Sequence, residues 1–180
     1  MAHRLEYLII RGTGNGEPQG VVNAASAYSV SADSSGSFKL VDTSAMLQRL
    51  KLWQGRVSWA MHRNLLSRLH QFQVGTSTGS VWLANIAIGS QGNPLHGYQI
   101  DWSEHIAQGV AANCAMLVDW SAYGLFEYGP LTIDYSEHAL FTSGQNVWRF
   151  DQELDGKALF QSTYKDESGF AYSPYVLFGN

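Results

Sequence analysis

The hydrophobic period changes along the chain, and that change narrows the fold more than any single motif does. Helical spacing is confined to the first 72 residues. Leu5, Leu8 and Ile9 stand at i, i+3, i+4 in AHRLEYLII, and Met46, Leu47, Leu50 and Trp53 repeat the pattern up to Gly55. Leu65, Leu66, Leu69 and Phe72 form a third such face. Thr43 is the expected N-cap of the second helix, whereas the first starts without a capping signal and reads as the end of a longer helix. Between the second and third helices, RVSWAMH alternates at Val57, Trp59 and Met61, as a strand does. From Gly97 onward the chain turns β-like, through GYQIDWS, AMLVDWS, GLFEYG, LTIDYS, NVWRFDQELDGKALF and AYSPYVLFG. In the long NVWRFDQELDGKALF segment, Trp148, Phe150 and Leu154 mark the expected buried positions. Helices early and strands late define an α+β fold, and no linker divides the 180 residues, so one compact unit is expected.

Where the first helix stops, RGTGNGEPQG places Gly12, Gly14, Gly16 and Gly20 close together. A dinucleotide loop needs GxGxxG between a strand and a helix whose N-terminus meets the pyrophosphate. Here Pro18 intervenes, no amphipathic helix follows, and the Gly-Lys-Ser/Thr of a P-loop is missing. A tight chain reversal that needs backbone freedom at Gly12 and Gly14 is the better reading.

No catalytic constellation emerges. IDWSEHI at 100–106 is echoed by IDYSEHA at 133–139. Asp101, Glu104 and His105, or Asp134, Glu137 and His138, could be imagined as metal ligands or a Ser/His/acid cluster. Adjacent strand residues point to opposite faces, however, so polar groups at strand ends are expected instead. The six His show no HxH or HExxH spacing, and Cys114 lies in the apolar run NCAMLV as a buried, inert thiol. A single cysteine excludes an intrachain disulfide and a cysteine-based zinc site, and it fits a reducing compartment. Catalytic, cofactor-binding and metal sites are therefore all expected to be absent. An acid-residue hydrolase built on Glu104 and Glu137 remains as the alternative from another class.

Charged residues make up only 14% of the chain and aromatics 13%, with six Trp. Aromatic, weakly charged surface is what subunit interfaces use, so a homo-oligomer is expected. A net charge of −4 with scattered Lys and Arg argues against a dedicated nucleic-acid surface. The apolar runs are too short to span a membrane, and MAHRLEYLII lacks the features of a signal peptide.

The order of segments resembles that of tailed-phage major capsid proteins. RGTGNGEPQGVVNA is similar to that family's Gly-Thr-Gly, Pro-x-Gly, Asn-Ala segment, which follows a long spine helix. VSWAMHRNLLSRLHQF resembles a strand and helix of the axial domain. NPLHGYQIDWSEHI resembles a further strand, with Tyr98, Gln99 and Ile100 where the family has apolar-Pro-Val. MLVDWSAYGLFEYGPLTIDYSEHALFTSGQNVWRFDQELDGKAL carries the most, being similar to the series Gly-Asp-Phe-Ser-x-Tyr, Gly-Leu-x-Ile, Phe-x-x-Asp/Gly-Gln, Arg-x-Asp-Gly. The resemblance covers residues 4–178 and implies the HK-ninety-seven-type capsid fold, shared with encapsulin-type compartment proteins. It implies a single capsid-like unit, with about 1–40 and 130–180 in a peripheral part and about 41–129 in an axial part. Family members carry an arm, an extended loop and most of a spine helix ahead of the point where this chain starts. The implied function is a structural subunit that self-associates or joins a full-length major capsid protein, in a virion or the host cytoplasm, with no cofactor. The loops GTSTGS and GSQGNPLHG are the expected contacts around a symmetry axis.

Overall fold

The computed structural model describes residues 2–70, 72–74, 81–82 and 95–179. Its centre is a five-stranded sheet built from β1 (Tyr28–Ser31), β2 (Val57–Met61), β5 (Gln99–Trp102), β6 (Ala115–Asp119) and β11 (Tyr175–Gly179). The spatial order is β1-β11-β6-β2-β5. β6 runs antiparallel to both neighbours, with Trp59 opposite Leu117 on one side and Val176 opposite Leu117 on the other. All five of its residues are buried. β1 and β11, which the expected division assigned to the peripheral part, share this sheet with β2, β5 and β6 of the axial part.

Alternation sorts the sheet into two cores. Trp59, Met61, Leu117, Val176 and Phe178 face α2 (Leu40–Arg49) and the short helix α3 (Leu66–Leu69), together with Met46, Leu65 and Leu69. Ala60, Met116, Val118, Tyr175 and Leu177 face the other way, onto α1 (Ala2–Arg11) through Ile10 and onto Val21. Each fully buried Leu, Val, Met or Phe of this kind contributes about 1.5–3 kcal/mol. Trp59, the largest fully buried side chain, also donates its indole N–H to the Leu95 carbonyl at 2.9 Å, so its polar atom is satisfied.

Helix α2 departs from expectation at both ends. Its start is fixed by Asp42 rather than Thr43. The buried Asp42 carboxylate accepts the Lys39 N–H (2.7 Å) and the Asp33 N–H (2.8 Å). Thr43 sits inside the first turn, and its hydroxyl donates to the Leu40 carbonyl. The helix ends at Arg49 because the Ser173 N–H takes the Arg49 carbonyl (2.9 Å), and Lys51 N–H then bonds to Ser173. Leu50 and Trp53 therefore lie beyond the helix. Trp53 packs edge-on against Phe160 instead, with ring centroids 5.1 Å apart. Elsewhere β3 (Gln73–Val74) pairs with β4 (Val81–Trp82), and β9 (Tyr164–Lys165) with β10 (Ala171–Tyr172).

GLFEYG and LTIDYS are one strand, β7 (Tyr123–Leu140), paired antiparallel with β8 (Gln145–Ala158) as a separate two-stranded ribbon. The register shifts between Tyr128 and Thr132, where Gly129 takes a positive φ of 77°, and again between Ser136 and Leu140. The ribbon is rooted on the body at one end. Gln19 N–H donates to the Gly156 carbonyl (2.7 Å), Tyr123 hydroxyl to the Gln19 carbonyl (2.9 Å), and Leu159 N–H to the Ala122 carbonyl (3.0 Å).

Here the expected buried positions are corrected. Trp148 is 60% exposed and Phe150 53%, and Leu154 is half-buried. The three do share one face, as the alternation required, but the ribbon projects from the sheet. Among the described residues no second layer covers that face.

One buried carboxylate ties the sheet to the loops at its end. Asp119 closes β6, and its carboxylate accepts the N–H groups of Trp53 (2.7 Å), Gln54 (3.3 Å), Gly55 (3.4 Å) and Ser121 (3.1 Å). Burial pushes its pKa up, but these hydrogen bonds outweigh burial and hold it below the ordinary aspartate value. A folded-state pKa below the unfolded one adds stability that is present above the unfolded pKa and lost as pH falls through the folded one. Asp119→Asn exchanges an acceptor for a donor against these N–H groups. It should lower unfolding free energy by about 2–4 kcal/mol at neutral pH. Urea denaturation at several pH values should also show a shallower acid limb for the variant.

Candidate assembly surface

The glycine-rich reversal fills its own amides. Thr13 N–H (3.0 Å) and the Thr13 hydroxyl (3.1 Å) donate to the Glu17 carboxylate, and Gly12 N–H donates to the Leu8 carbonyl (2.8 Å). The Thr13 N–H bond, then the Thr13 hydroxyl and the Arg4 charge, hold the Glu17 pKa below its ordinary value. An internal carboxylate thus occupies the place that a phosphate would take. Gly14 needs its positive φ of 77°. Gly12 is required for a different reason than expected, since a Cβ there would collide with the Pro18 carbonyl. Gly20 is under the same constraint, since a Cβ there would come within 2.6 Å of the amide nitrogens of Arg11 and Gly12.

The two SEH segments repeat a local geometry and converge on nothing. Ser103 Oγ accepts the His105 N–H (3.2 Å), as Ser136 Oγ accepts those of His138 (3.3 Å) and Ala139 (3.2 Å). The echo is a serine turn used twice. Asp101 accepts the Ser58 hydroxyl (2.6 Å), and Ser58 in turn accepts the Trp120 indole N–H (2.8 Å). Glu104 lines a recess with His3, Arg63 and His105 on the body, while Glu137 lies exposed on the ribbon, taking the Tyr135 hydroxyl. Asp134 sits beside Arg149 on the ribbon. Among the described residues no three His, Cys, Asp or Glu side chains are grouped to hold a metal. Cys114 is buried, and burial pushes its thiol up to about 11, which keeps it protonated and unreactive.

What the structure does assemble is an apolar surface on the ribbon. Cross-strand partners share a face, so Ile133 with Phe150 and Tyr135 with Trp148 form a block of four. The Tyr135 and Trp148 rings are 4.7 Å apart. The other face carries Asp134, Arg149 and Asp151, with an Arg149–Asp151 ion pair. Toward the body the apolar face runs into a cleft of about 660 Å³ between α1 and β8, lined by Leu5, Leu8, Phe150 and Leu154. Sequence alternation marked these side chains but could not say that they are open. The expected axis loops at 75–80 and 89–97 lie outside the described residues, apart from 95–97.

A sheet of this order with a long ribbon rooted beside it is the HK-ninety-seven-type capsid fold. The capsid of a native GTA particle computed with C5 symmetry superposes with a TM-score of 0.71, at 15% identity, over 99% of this chain and 62% of that one. The capsid of an empty GTA particle gives 0.69 at 16% identity, over 98% and 62%. The chain thus spans less than two thirds of the length of either. No curated protein matches. The model of the phage capsid family matches residues 1–162, and the chain belongs to that family. Among the described residues no helix is long and apolar enough to cross a membrane.

The glycine geometry separates two kinds of substitution. Gly16 has open space around its Cβ position, so Gly16→Ala should cost only its positive φ, about 1–2 kcal/mol. Gly12→Ala and Gly20→Ala must move backbone and should cost clearly more, as read by thermal unfolding.

Proposed function

We propose that this chain is a structural subunit whose work is protein–protein association without catalysis. It self-associates and co-assembles with a full-length major capsid protein, in the virion or in the host cytoplasm. The observation that carries this reading is the open block of Ile133, Tyr135, Trp148 and Phe150 on a projecting ribbon. Contiguous apolar surface of a few hundred Å² marks an interaction site in a soluble protein. Family membership and the fold support the same reading. The two-part organisation is best drawn with the five-stranded sheet and its two cores as the axial part. The ribbon makes the peripheral part, and α1, whose Ile10 packs into one of those cores, joins the two at the cleft.

Electron microscopy of the purified protein, alone and mixed with a full-length capsid protein, tests this. Shells, partial shells or particles of altered size are expected in at least one of the two samples. Monomers that neither associate nor bind the full-length protein would remove the proposal.

A further inference from the structure

The glycine turn holds the chain's single Asn-Gly dipeptide, Asn15–Gly16, in the bend at 14–17. Both residues are exposed. Among the described residues nothing accepts the Gly16 N–H, and the Asn15 side-chain amide has no hydrogen-bond partner. Asn15 is engaged only through its backbone N–H, which donates to the Thr13 hydroxyl at 3.4 Å. Beyond its chain neighbours, no atom lies within 4 Å of where a Gly16 Cβ would stand. Every other Asn inside the chain precedes a residue whose side chain crowds the next backbone nitrogen, such as Ala24, Leu65, Cys114 or Val147. Asn23 is further restrained, since its amide donates to the carbonyls of Arg11 (3.1 Å) and Gly12 (2.9 Å).

We infer that Asn15–Gly16 is a self-modification site, at which the folded chain closes an imide ring, releases ammonia and reopens chiefly as isoaspartate. Solvent hydroxide takes the Gly16 amide proton, and the nitrogen's electron pair forms a bond to Asn15 Cγ. The Cγ–Nδ2 bond then breaks, and ammonia leaves with a proton from water. Water next adds to the imide and cleaves one of its two carbon–nitrogen bonds. The α carbonyl is the more electrophilic, being next to the carbon that bears the peptide nitrogen, so isoaspartate exceeds aspartate. The net change consumes water, releases ammonia and adds one negative charge. The chain's one Asp-Gly pair, Asp155–Gly156, lacks these conditions. It lies within β8, its Gly16 counterpart Gly156 has its N–H held by the Asp155 carboxylate (2.7 Å), and an ionised carboxylate has no comparable leaving group. Isoaspartate puts an extra methylene into the main chain between Thr13 and Glu17. The bonds from the Thr13 N–H and hydroxyl to the Glu17 carboxylate span that interval, so the modification opens them.

The test is incubation of the whole chain in mildly alkaline buffer, followed by peptide mapping with mass spectrometry and isoaspartyl methyltransferase labelling. Conversion should concentrate at Asn15, with isoaspartate in excess. The folded rate should lie within about tenfold of that in urea, because no fold contact shields the pair. Gly16→Ala should slow conversion by about tenfold or more, and Asn15→Gln should abolish it, its ring closure being six-membered and unfavourable. In the converted protein the Thr13 amide should exchange hydrogen faster by about tenfold or more than in Asn15→Gln protein incubated alike. An intact Asn15 while another Asn converts, protection in the folded chain greater than about tenfold, or a Thr13 amide that exchanges unchanged would overturn the inference. None of these outcomes bears on the proposed function, which concerns other surfaces of the chain.

Discussion

Strand β6 is paired on both edges and covered on both faces, and the positions of the other elements follow from that double burial. Ala115 and Leu117 point into one core, Met116 and Val118 into the other. Two layers of helix and turn must therefore close over it, which fixes α2 on one side and α1 on the other. At its end, Asp119 gathers the N–H groups of Trp53, Gln54 and Gly55, so the segment leading into β2 is set by the same strand. The chain then leaves β6 through Trp120–Ala122 directly into β7. Tyr175, from the neighbouring strand β11, donates its hydroxyl to the Ala122 carbonyl and holds that exit in place. The direction in which the ribbon projects is thus decided by the most buried strand of the molecule.

Much of this was legible in the sequence because burial writes a period into it. Val57, Trp59 and Met61 announced β2, and Leu65, Leu69 and Phe72 fall on the core side as their spacing required. The misreadings share a cause, which is that a distant partner overrode a local signal. Thr43 has the right chemistry for an N-cap. Asp42 wins because its carboxylate reaches both the Lys39 N–H and that of Asp33 in the loop between β1 and α2. Leu50 and Trp53 continue the helical spacing of α2, but Ser173 captures the Arg49 carbonyl from a segment over a hundred residues away. Neither Asp33 nor Ser173 can be identified as a partner from spacing alone. The glycine turn shows the same division. Positive φ at Gly14 is a local property, whereas the need for glycine at 12 and 20 arises from two backbone segments touching.

The ribbon marks a different boundary of sequence reasoning. Alternation at Trp148, Phe150 and Leu154 identified a shared face correctly, and it also identified that face as apolar. A period of two states only that one side differs from the other. Whether the apolar side meets its own chain, another chain or water is set by topology, and a strand buried in a core carries the same pattern as one buried in an assembly. The polar face with Asp134, Arg149 and Asp151 would look alike in each case. Family resemblance supplied what the pattern lacked, because a capsid-type chain is expected to place apolar surface where a neighbour will stand.

An isolated two-stranded ribbon in water is marginal, since its cross-strand pairs each contribute only about 0.2–1 kcal/mol and nothing stacks on them. The body needs no such help, with its own two cores. The root of the ribbon is held by Gln19, Tyr123 and Leu159, and beyond it the pairing continues through two register shifts with apolar side chains open. Stability along the ribbon should therefore fall from root to tip, and covering the tip block would raise it most where it is lowest. Association and ordering of the ribbon are then two sides of one free-energy change. A rigid body supplies the fixed geometry of a subunit, and any surface that covered the ribbon's tip block would add to its order. In a chain with few charges and an aromatic-rich surface, that coupling gives the exposed Trp148 and Phe150 a physical purpose that a folded monomer alone does not.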